Sequence, residues 1–583
     1  MKFLLVAINA KYIHSNPAIY SLRAYVGKEL EKFVELAEYT INQQIQDILA
    51  DIYQKKPRVL GFSCYIWNWK LIQELLMELP KVLPETEIWL GGPEVTFDAE
   101  NILQDYPQLS GVIVGEGEKT FKELLQCYVN GEGTDYKNRI AEVAGLCLPS
   151  GYTKPRELTD LTEVPFLYQN LAPFENKIIY YESSRGCPYR CSYCLSSIDK
   201  KVRLRNLDVV KKELQFFLDH QVKQVKFVDR TFNCDHHHAM EIWKYILEHD
   251  NGVTNFHFEI SADILREEEI ELLNRFRPGL AQLEIGVQST NEQTIKAINR
   301  VMNVERLERI VAAIRKGNNI HQHLDLIAGL PYEDYESFGK SFNRVYAMKP
   351  DQLQLGFLKV LKGSEMEQRA EEFGICYGEL PPYEVLYTKW LSYDDVLFLK
   401  KIEEMVELYY NSNQYSHVLP FLERAFESPF AMFEQLAKYY EQQGFFLKSP
   451  ARAYRYQVLL QFALEFDQSN AEVYKELLTY DLYLRENVKS RPDFCKDLTT
   501  EAYRSFASAF YQQEEKQRFY LPDYQEYHWK QLWKMTHLEL FNYPVWSPEK
   551  ISEEGGLEEP VAILFDYKSR NPLNYEARTV ILK

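Results

Sequence analysis

Along the first 150 residues, short apolar or alternating runs take turns with stretches of helical periodicity. Phe3 to Ile8, Val34 to Thr40, Val59 to Tyr65, Ile88 to Leu90 and Val112 to Val114 read as strands. Between them, Ala18 to Leu30, Gln43 to Tyr53, Trp69 to Leu79 and Thr120 to Tyr128 place apolar residues three and four apart, which marks amphipathic helices. Repeated strand–helix order predicts an α/β, Rossmann-like, doubly wound parallel sheet over residues 1–150. Ligands of such a sheet bind beyond the carboxyl ends of its strands. The turns there are polar or glycine-rich: Asn9 to Asn16, Ser63 to Asn68, Gly91-Gly92-Pro93-Glu94 and Gly115-Glu116-Gly117-Glu118.

Residues 151–177 carry Gly151, Pro155, Pro165 and Pro173 with little periodicity and read as a linker. From Ile178 the alternation resumes. Val225 to Val228, Phe256 to Ile260, Gln282 to Val287, His323 to Ala328 and Gln352 to Leu358 read as strands, with helices near 208–219, 236–249, 266–275, 304–316 and 334–347. With the strand at Ile178 this makes six βα units over 178–365, closing toward a barrel whose functional groups sit at the carboxyl ends of its strands. Those ends hold Asp229-Arg230-Thr231-Phe232-Asn233, then Glu259 and Ser261, Gly286-Val287-Gln288-Ser289, and Gly329-Leu330-Pro331. His236, His237 and His238 are read as the first turn of a helix capped by Asp235. Consecutive helical side chains diverge and do not share an ion.

Residues 366–583 change character. Long amphipathic runs at Tyr393 to Ser412, His417 to Gln443, Ala451 to Phe466, Ala471 to Arg485 and Thr499 to Phe510 predict a mainly helical domain. Val561 to Tyr567 and Ala577 to Leu582, flanking Asn571-Pro572, predict a closing hairpin.

At 583 residues the chain is too long for one core. With 67 Lys plus Arg against 85 Asp plus Glu, the net charge is −18, which disfavours broad binding to phosphate backbones, and nucleic acid is not an expected partner. No apolar run reaches the roughly 18 residues of a membrane span, and the Phe3 to Ile8 run stops at Asn9 without a cleavage site. The chain is therefore expected to be soluble and cytoplasmic, off the membrane, with its nine cysteines reduced.

Three of those cysteines carry the candidate chemistry. Cys187, Cys191 and Cys194 stand at a C-x₃-C-x₂-C spacing just after the strand Ile178 to Tyr181. Three thiolates on one loop can hold three irons of a [4Fe–4S] cube and leave the fourth open to a small molecule. Zinc normally takes four ligands, often in two separated pairs, and no second pair is present.

The loop, with aromatic Tyr193 before its last cysteine, resembles that of the radical S-adenosylmethionine (SAM) superfamily. The resemblance implies a partial (βα)₆ barrel, and SAM held on the open iron through its amino and carboxylate groups. It also implies SAM contacts from Tyr193, Arg230, Glu259, Ser261, Gln288, Gly329 and Pro331. Arg230 suits a carboxylate, Glu259 a ribose hydroxyl, and the Gly329–Pro331 turn the adenine.

The two glycine turns upstream resemble the cobalamin-binding domain that precedes many radical SAM domains. That likeness implies cobalamin contacts from Asn9, Tyr12, His14, Ser63, Gly91, Gly92, Pro93, Glu94, Gly115, Glu116 and Gly117. The loop from Asn9 to Asn16 lacks the Asp-x-His-x-x-Gly motif that ligates cobalt in the methionine synthase type, which leaves His14 as a candidate by position alone. Taken whole, the chain resembles a group of cobalamin-type radical SAM proteins with a C-terminal domain of unknown function. The resemblance implies methyl transfer to an unactivated carbon or phosphorus centre, with a flavodoxin or ferredoxin as reductant and a substrate the sequence does not name. The alternatives are a rearrangement or cyclisation with the same cofactors, or a non-catalytic cluster-binding sensor or assembly protein.

Overall fold

Seven strands of the amino-terminal region share one sheet: β1 (Phe3–Asn9), β2 (Val34–Thr40), β3 (Val59–Ser63), β4 (Glu87–Gly91), β5 (Leu109–Ile113), β6 (Leu146–Leu148) and β7 (Gly151–Tyr152). They are seen in a computed structural model that describes residues 2–130 and 135–582. The order is β2-β1-β3-β4-β5-β6-β7, parallel from β2 to β5, with β6 and β7 added antiparallel. The order reverses between β1 and β3, where doubly wound sheets bind ligands. All seven residues of β1 are buried, as expected of a central parallel strand covered by helices on both faces. Two apolar cores lie on the two faces, one around Ile72, Leu76 and Leu90, the other around Phe3, Trp89 and Phe121. The linker's first two residues extend this sheet as β7, because Gly151 and Tyr152 pair with Leu148 and Cys147.

The second sheet has six strands in the order β8-β11-β12-β13-β14-β15, built from β8 (Ile179–Tyr181), β11 (Gln224–Phe227), β12 (Asn255–Ile260), β13 (Ala281–Gln288), β14 (His321–Ala328) and β15 (Gln352–Phe357). Pairing is parallel from β8 through β13. Alternation is strict in β12 and β13, where every second residue is buried, so one face of each strand packs on helices and the other looks inward. Between β8 and β11 a small ribbon pairs β9 (Ser184–Arg185) with β10 (Arg203–Leu204), and the cysteine loop lies between its two strands. Asp235 caps the helix His236–Glu248 by accepting from the His238 amide, as its sequence predicts.

The chain divides into two compact units: residues 1–320 with 327–334 and 356–393, and residues 321–326 with 335–355 and 394–583. In the first, a further two-stranded ribbon joins β16 (Cys376–Tyr377) and β17 (Val385–Tyr387). In the second, the helices Pro429–Gln442, Arg452–Phe466, Ala471–Arg485 and Glu501–Gln517 dominate. Its predicted hairpin, β19 (Val561–Arg570) with β20 (Ala577–Leu582), gains a third antiparallel strand, β18 (Thr536–Phe541). No helix among the described residues is long and apolar enough to cross a membrane.

Candidate active site

The cysteine loop begins where β9 ends. Cys187 and Cys191 are buried and Cys194 is half-buried. Main-chain bonds fix the loop: the Cys187 amide donates to Asp199 O at 3.1 Å, Cys194 to Cys191 O at 3.1 Å, and Ser192 to Ile298 O at 3.0 Å. Gly186 has φ +98°, and a Cβ there would come 2.5 Å from the Lys201 carbonyl oxygen, so only glycine lets the chain turn into Cys187. Burial pushes the Cys191 thiol up, offset in part by Arg300. Loading such a thiol with metal therefore releases a proton. Among the described residues no three His, Cys, Asp or Glu side chains converge on a single-ion site.

Around this loop the barrel supplies polar groups. Thr231 Oγ1 lies 3.5 Å from Cys187 Sγ. Asp229, fully buried, accepts from the Ser183 amide (2.9 Å), Ser183 Oγ (2.5 Å) and Ser184 Oγ (2.8 Å), yet burial outweighs these bonds and pushes its carboxyl up to about 7. Arg300 had no motif to announce it. Its Nη1 donates to Tyr193 Oη at 3.2 Å and reaches Cys191 Sγ at 3.9 Å, its Nη2 donates to Gly286 O, and its buried Nε has no partner. Gln288 holds a positive φ of +71°, and its buried Oε1 also has no partner. A strained residue and two orphaned polar atoms beside one loop fit the polar end of a bound ligand.

The other sequence candidates on the barrel are placed as follows. Ser261 is bracketed by Asn233, which donates to its carbonyl and accepts from its amide, while its hydroxyl donates to Asp263 at 3.0 Å. Glu259 lies 3.9 Å from Lys226 Nζ. Gly329 and Pro331 form a turn against Val385, with Thr294 Oγ1 donating to Pro331 O at 2.9 Å. Tyr193 packs on the apolar cluster around Leu330 and Met366. Arg230 is exposed, and it lines a cavity in company with the first domain.

That cavity, about 810 Å³, lies where the carboxyl-end loops of the first sheet face the cysteine loop. Asn9, His14, Ser63, Gly91, Gly92, Pro93, Gly115, Glu116 and Gly117 line it on one side, and Arg185, Gly186, Leu195 and Arg230 on the other. Its inner end reaches Leu5, Gly61, Trp89 and Phe121, an apolar slot in the first domain that no motif announced. Tyr65 and Trp67, stacked with centroids 4.4 Å apart, add an aromatic wall. Two candidates stand outside the lining. Tyr12 is 69% exposed on the surface, and Glu94 is turned away to accept from Tyr383 Oη. His14 shares a 2.5 Å hydrogen bond through Nδ1 with Tyr180 Oη, and burial, with Lys11 and Lys226, lowers its pKa.

Three sets of contacts hold the first-domain loops to the barrel. Ile178 donates to Ile13 O at 2.9 Å, and Lys177 pairs with Glu38 at 2.8 Å. Lys362 pairs with Asp98 at 2.8 Å beside the Tyr383–Glu94 bond. Glu116 takes both Arg203 (2.6 Å) and Arg185 (3.3 Å), and Arg185 also takes Glu118 (2.8 Å). Burial alone would raise Glu116, but the two arginines and the Thr159 amide hold it down to about 2.

Three family models match successive parts of the chain. Residues 4–125 match the B12 binding domain family, 181–345 the radical SAM superfamily, and 371–565 a family described as a protein of unknown function (DUF4080). The chain is 25% identical over 349 residues to the cobalamin-dependent radical SAM methyltransferase TokK of Streptomyces tokunonensis, covering 55% of this chain and 50% of that protein. It is 22% identical over 312 residues to an anaerobic magnesium-protoporphyrin IX monomethyl ester cyclase of Rubrivivax gelatinosus, covering 51% and 55%. The chain spans about half the length of the curated relatives it matches. The cobalamin-dependent SAM radical enzyme OxsB, solved with aqua-cobalamin and SAM, shares the fold with a TM-score of 0.55 at 16% identity, over 88% of this chain and 75% of that one.

Proposed function

Because the chain belongs to the radical SAM superfamily, with a B12 binding domain ahead of its barrel and a carboxyl-terminal domain of unknown function, we propose that it is a cobalamin-dependent methyltransferase acting on an unactivated carbon or phosphorus centre. Its cofactors are a [4Fe–4S] cluster, SAM and cobalamin. One observation carries the reading: the glycine loops of the first sheet and the entry to the cysteine loop line the same cavity. Gly91, Gly92, Gly115 and Gly117 would hold a corrin in the cavity that Gly186 and Leu195, which flank the three cysteines, also line.

The residues fit these groups. Cys187, Cys191 and Cys194 offer three thiols on a loop fixed by main-chain bonds. The orphaned atoms of Gln288 and Arg300 suit the amino-acid end of SAM, and the apolar slot at Trp89 and Phe121 suits an aromatic tail. When bound, the groups supply a hydrogen-abstracting radical and a transferable methyl, chemistry that no side chain provides. The chain's own part is to bind, orient and exclude water. Cys187 and Cys191 are buried, so a cluster they held would be shielded from solvent on that side, and exposed Arg230 offers the cavity a guanidinium for an anionic group. A low-potential donor such as flavodoxin or ferredoxin is the partner this chemistry requires.

Likeness to a cyclase favours a second reading, the same cofactors used without methyl transfer. Anaerobic reconstitution with iron, sulfide and hydroxocobalamin, followed by methyl-labelled SAM and cell extract, separates the two. Label in an acceptor supports the methyltransferase. Deoxyadenosine without labelled acceptor supports the second reading, and intact SAM throughout points to a non-catalytic cluster protein. Loss of the cluster's visible absorption on changing all three cysteines to alanine is expected.

A further inference from the structure

From the geometry on the carboxyl side of β5 we infer that Glu116, Arg203 and Asp199 form a positioning relay that couples the cobalamin loop to the cluster loop, so that each cofactor binds more tightly when the other is in place. This rests on the cofactor assignment above. The relay is contiguous. Glu116 sits between Gly115 and Gly117 in the cavity lining, and its carboxylate accepts from Arg203 Nη2 at 2.6 Å and Nη1 at 3.1 Å. The fork geometry fixes direction as well as distance. Arg203 Nη2 also donates to Asp199 Oδ2 at 2.6 Å, and the carbonyl of that same Asp199 accepts from the Cys187 amide at 3.1 Å. Three links thus join a loop lining the cofactor cavity to the first cluster cysteine.

Two features make this a coupling rather than a surface ion pair. The side chains of Glu116 and Arg203 are only 16% and 11% exposed, so neither charge is free to trade its partner for water. Arg203 lies opposite Arg185 in the β9–β10 ribbon, and β9 leads directly into Gly186 and Cys187. A shift of Glu116 is passed both through Asp199 and through the ribbon. If ordering one loop pre-orders the other, the linkage is reciprocal.

Arg203 does not line the cavity, so Arg203→Met breaks the relay without touching the corrin's walls. Hydroxocobalamin is titrated into full-length protein with the cluster reconstituted and again after its removal by chelation. The expected result is that wild-type protein binds cobalamin about five-fold or more tightly with the cluster present, the lower end of ordinary coupling. In Arg203→Met, checked as folded by circular dichroism, the ratio falls toward one while cobalamin still binds. Glu116→Gln lowers the ratio in the same way, and the double variant lowers it no further. A wild-type ratio of one overturns the coupling and leaves the cofactor assignment standing. A high ratio that survives Arg203→Met overturns the relay. Protein that takes up no cobalamin or no cluster under any condition overturns the cofactor assignment itself.

Discussion

The glycine turns differ in what they demand, and the difference is measurable. Gly92 has φ +116°, and an added Cβ would lie 2.4 Å from the Cys64 carbonyl oxygen and 3.0 Å from its nitrogen. Both atoms are main chain, held by the 2.7 Å bond from the Cys64 amide to Gly91 O. Gly92→Ala therefore pays left-handed strain of about 1–3 kcal/mol and loosens a backbone bond worth about 1 kcal/mol, for roughly 2–4 kcal/mol in all. Gly115 also has a positive φ, +77°, but nothing lies within 4 Å of its added Cβ. Gly115→Ala costs the strain alone, about 1–2 kcal/mol. At about 2–4 °C per kcal/mol, Gly92→Ala should lower the melting transition of the first domain by at least about 4 °C, and Gly115→Ala by clearly less. Hydroxocobalamin affinity should fall about tenfold or more in Gly92→Ala, which is 1.4 kcal/mol or more passed to the binding loop. Scanning calorimetry and visible-absorption titration read the two quantities. Equal melting shifts for the two variants, or wild-type cobalamin binding by Gly92→Ala, would refute the argument that the Cys64 main chain is what requires glycine there.

Three further perturbations follow from single contacts. Asp229 is raised from 3.8 to about 7 by burial, so its contribution to stability is present below about pH 4 and is lost as pH rises through about 7. Between about pH 5 and pH 8 the wild type should lose roughly 2–3 kcal/mol that Asp229→Asn does not, and parallel denaturation slopes against pH would count against this. His14→Phe removes the bond to Tyr180 and should cost about 1 kcal/mol in a thermal melt while leaving the visible spectrum of bound cobalamin unchanged. A shifted spectrum would make His14 a cobalt ligand. Tyr383→Phe leaves the buried Glu94 carboxylate without its phenol donor and should destabilise the first unit by about 1–3 kcal/mol, read as faster proteolysis between the two domains it joins.

How much of this was legible depended on how local the signal was. The strand Val34–Thr40 and the helix Ala471–Arg485 run over the residues their patterns predict, although the helix is buried on all sides from Glu476 to Leu484 rather than on one face. The helix Glu292–Ala297 is six residues long, too short for a helical period to show, and the structure adds strand β18, which the sequence analysis does not predict. The cysteine loop was legible because three cysteines fall within eight residues, a spacing that suits a cluster. Arg203 and Asp199 carry no such mark. An arginine after two lysines reads as solvated surface, and its meaning comes from Glu116, 87 residues away. Glu94 shows the converse: a carboxylate in a promising turn, drawn off by Tyr383, 289 residues on.

The aromatic wealth of the chain bears on where specificity resides. Forty-one tyrosines allow deep stacking pockets. In the second unit, however, Tyr409, Tyr415, Tyr440 and Tyr456 are all fully buried, Tyr409 and Tyr440 sharing a 2.5 Å bond and Tyr415 packing against both Tyr409 and Tyr456. Burial pushes their hydroxyls up, so they titrate far from neutrality and serve as core. The aromatics left facing open space are different ones. Tyr65 and Trp67 line the cavity, and Trp67 is 44% exposed, held by its Nε1 to Ile8 O at 3.2 Å. A large flat ligand gains most from rings that are already fixed before it arrives, because little side-chain entropy remains to be lost. The first unit therefore holds a pre-organised aromatic wall on its cavity, and these four tyrosines of the second serve its own packing.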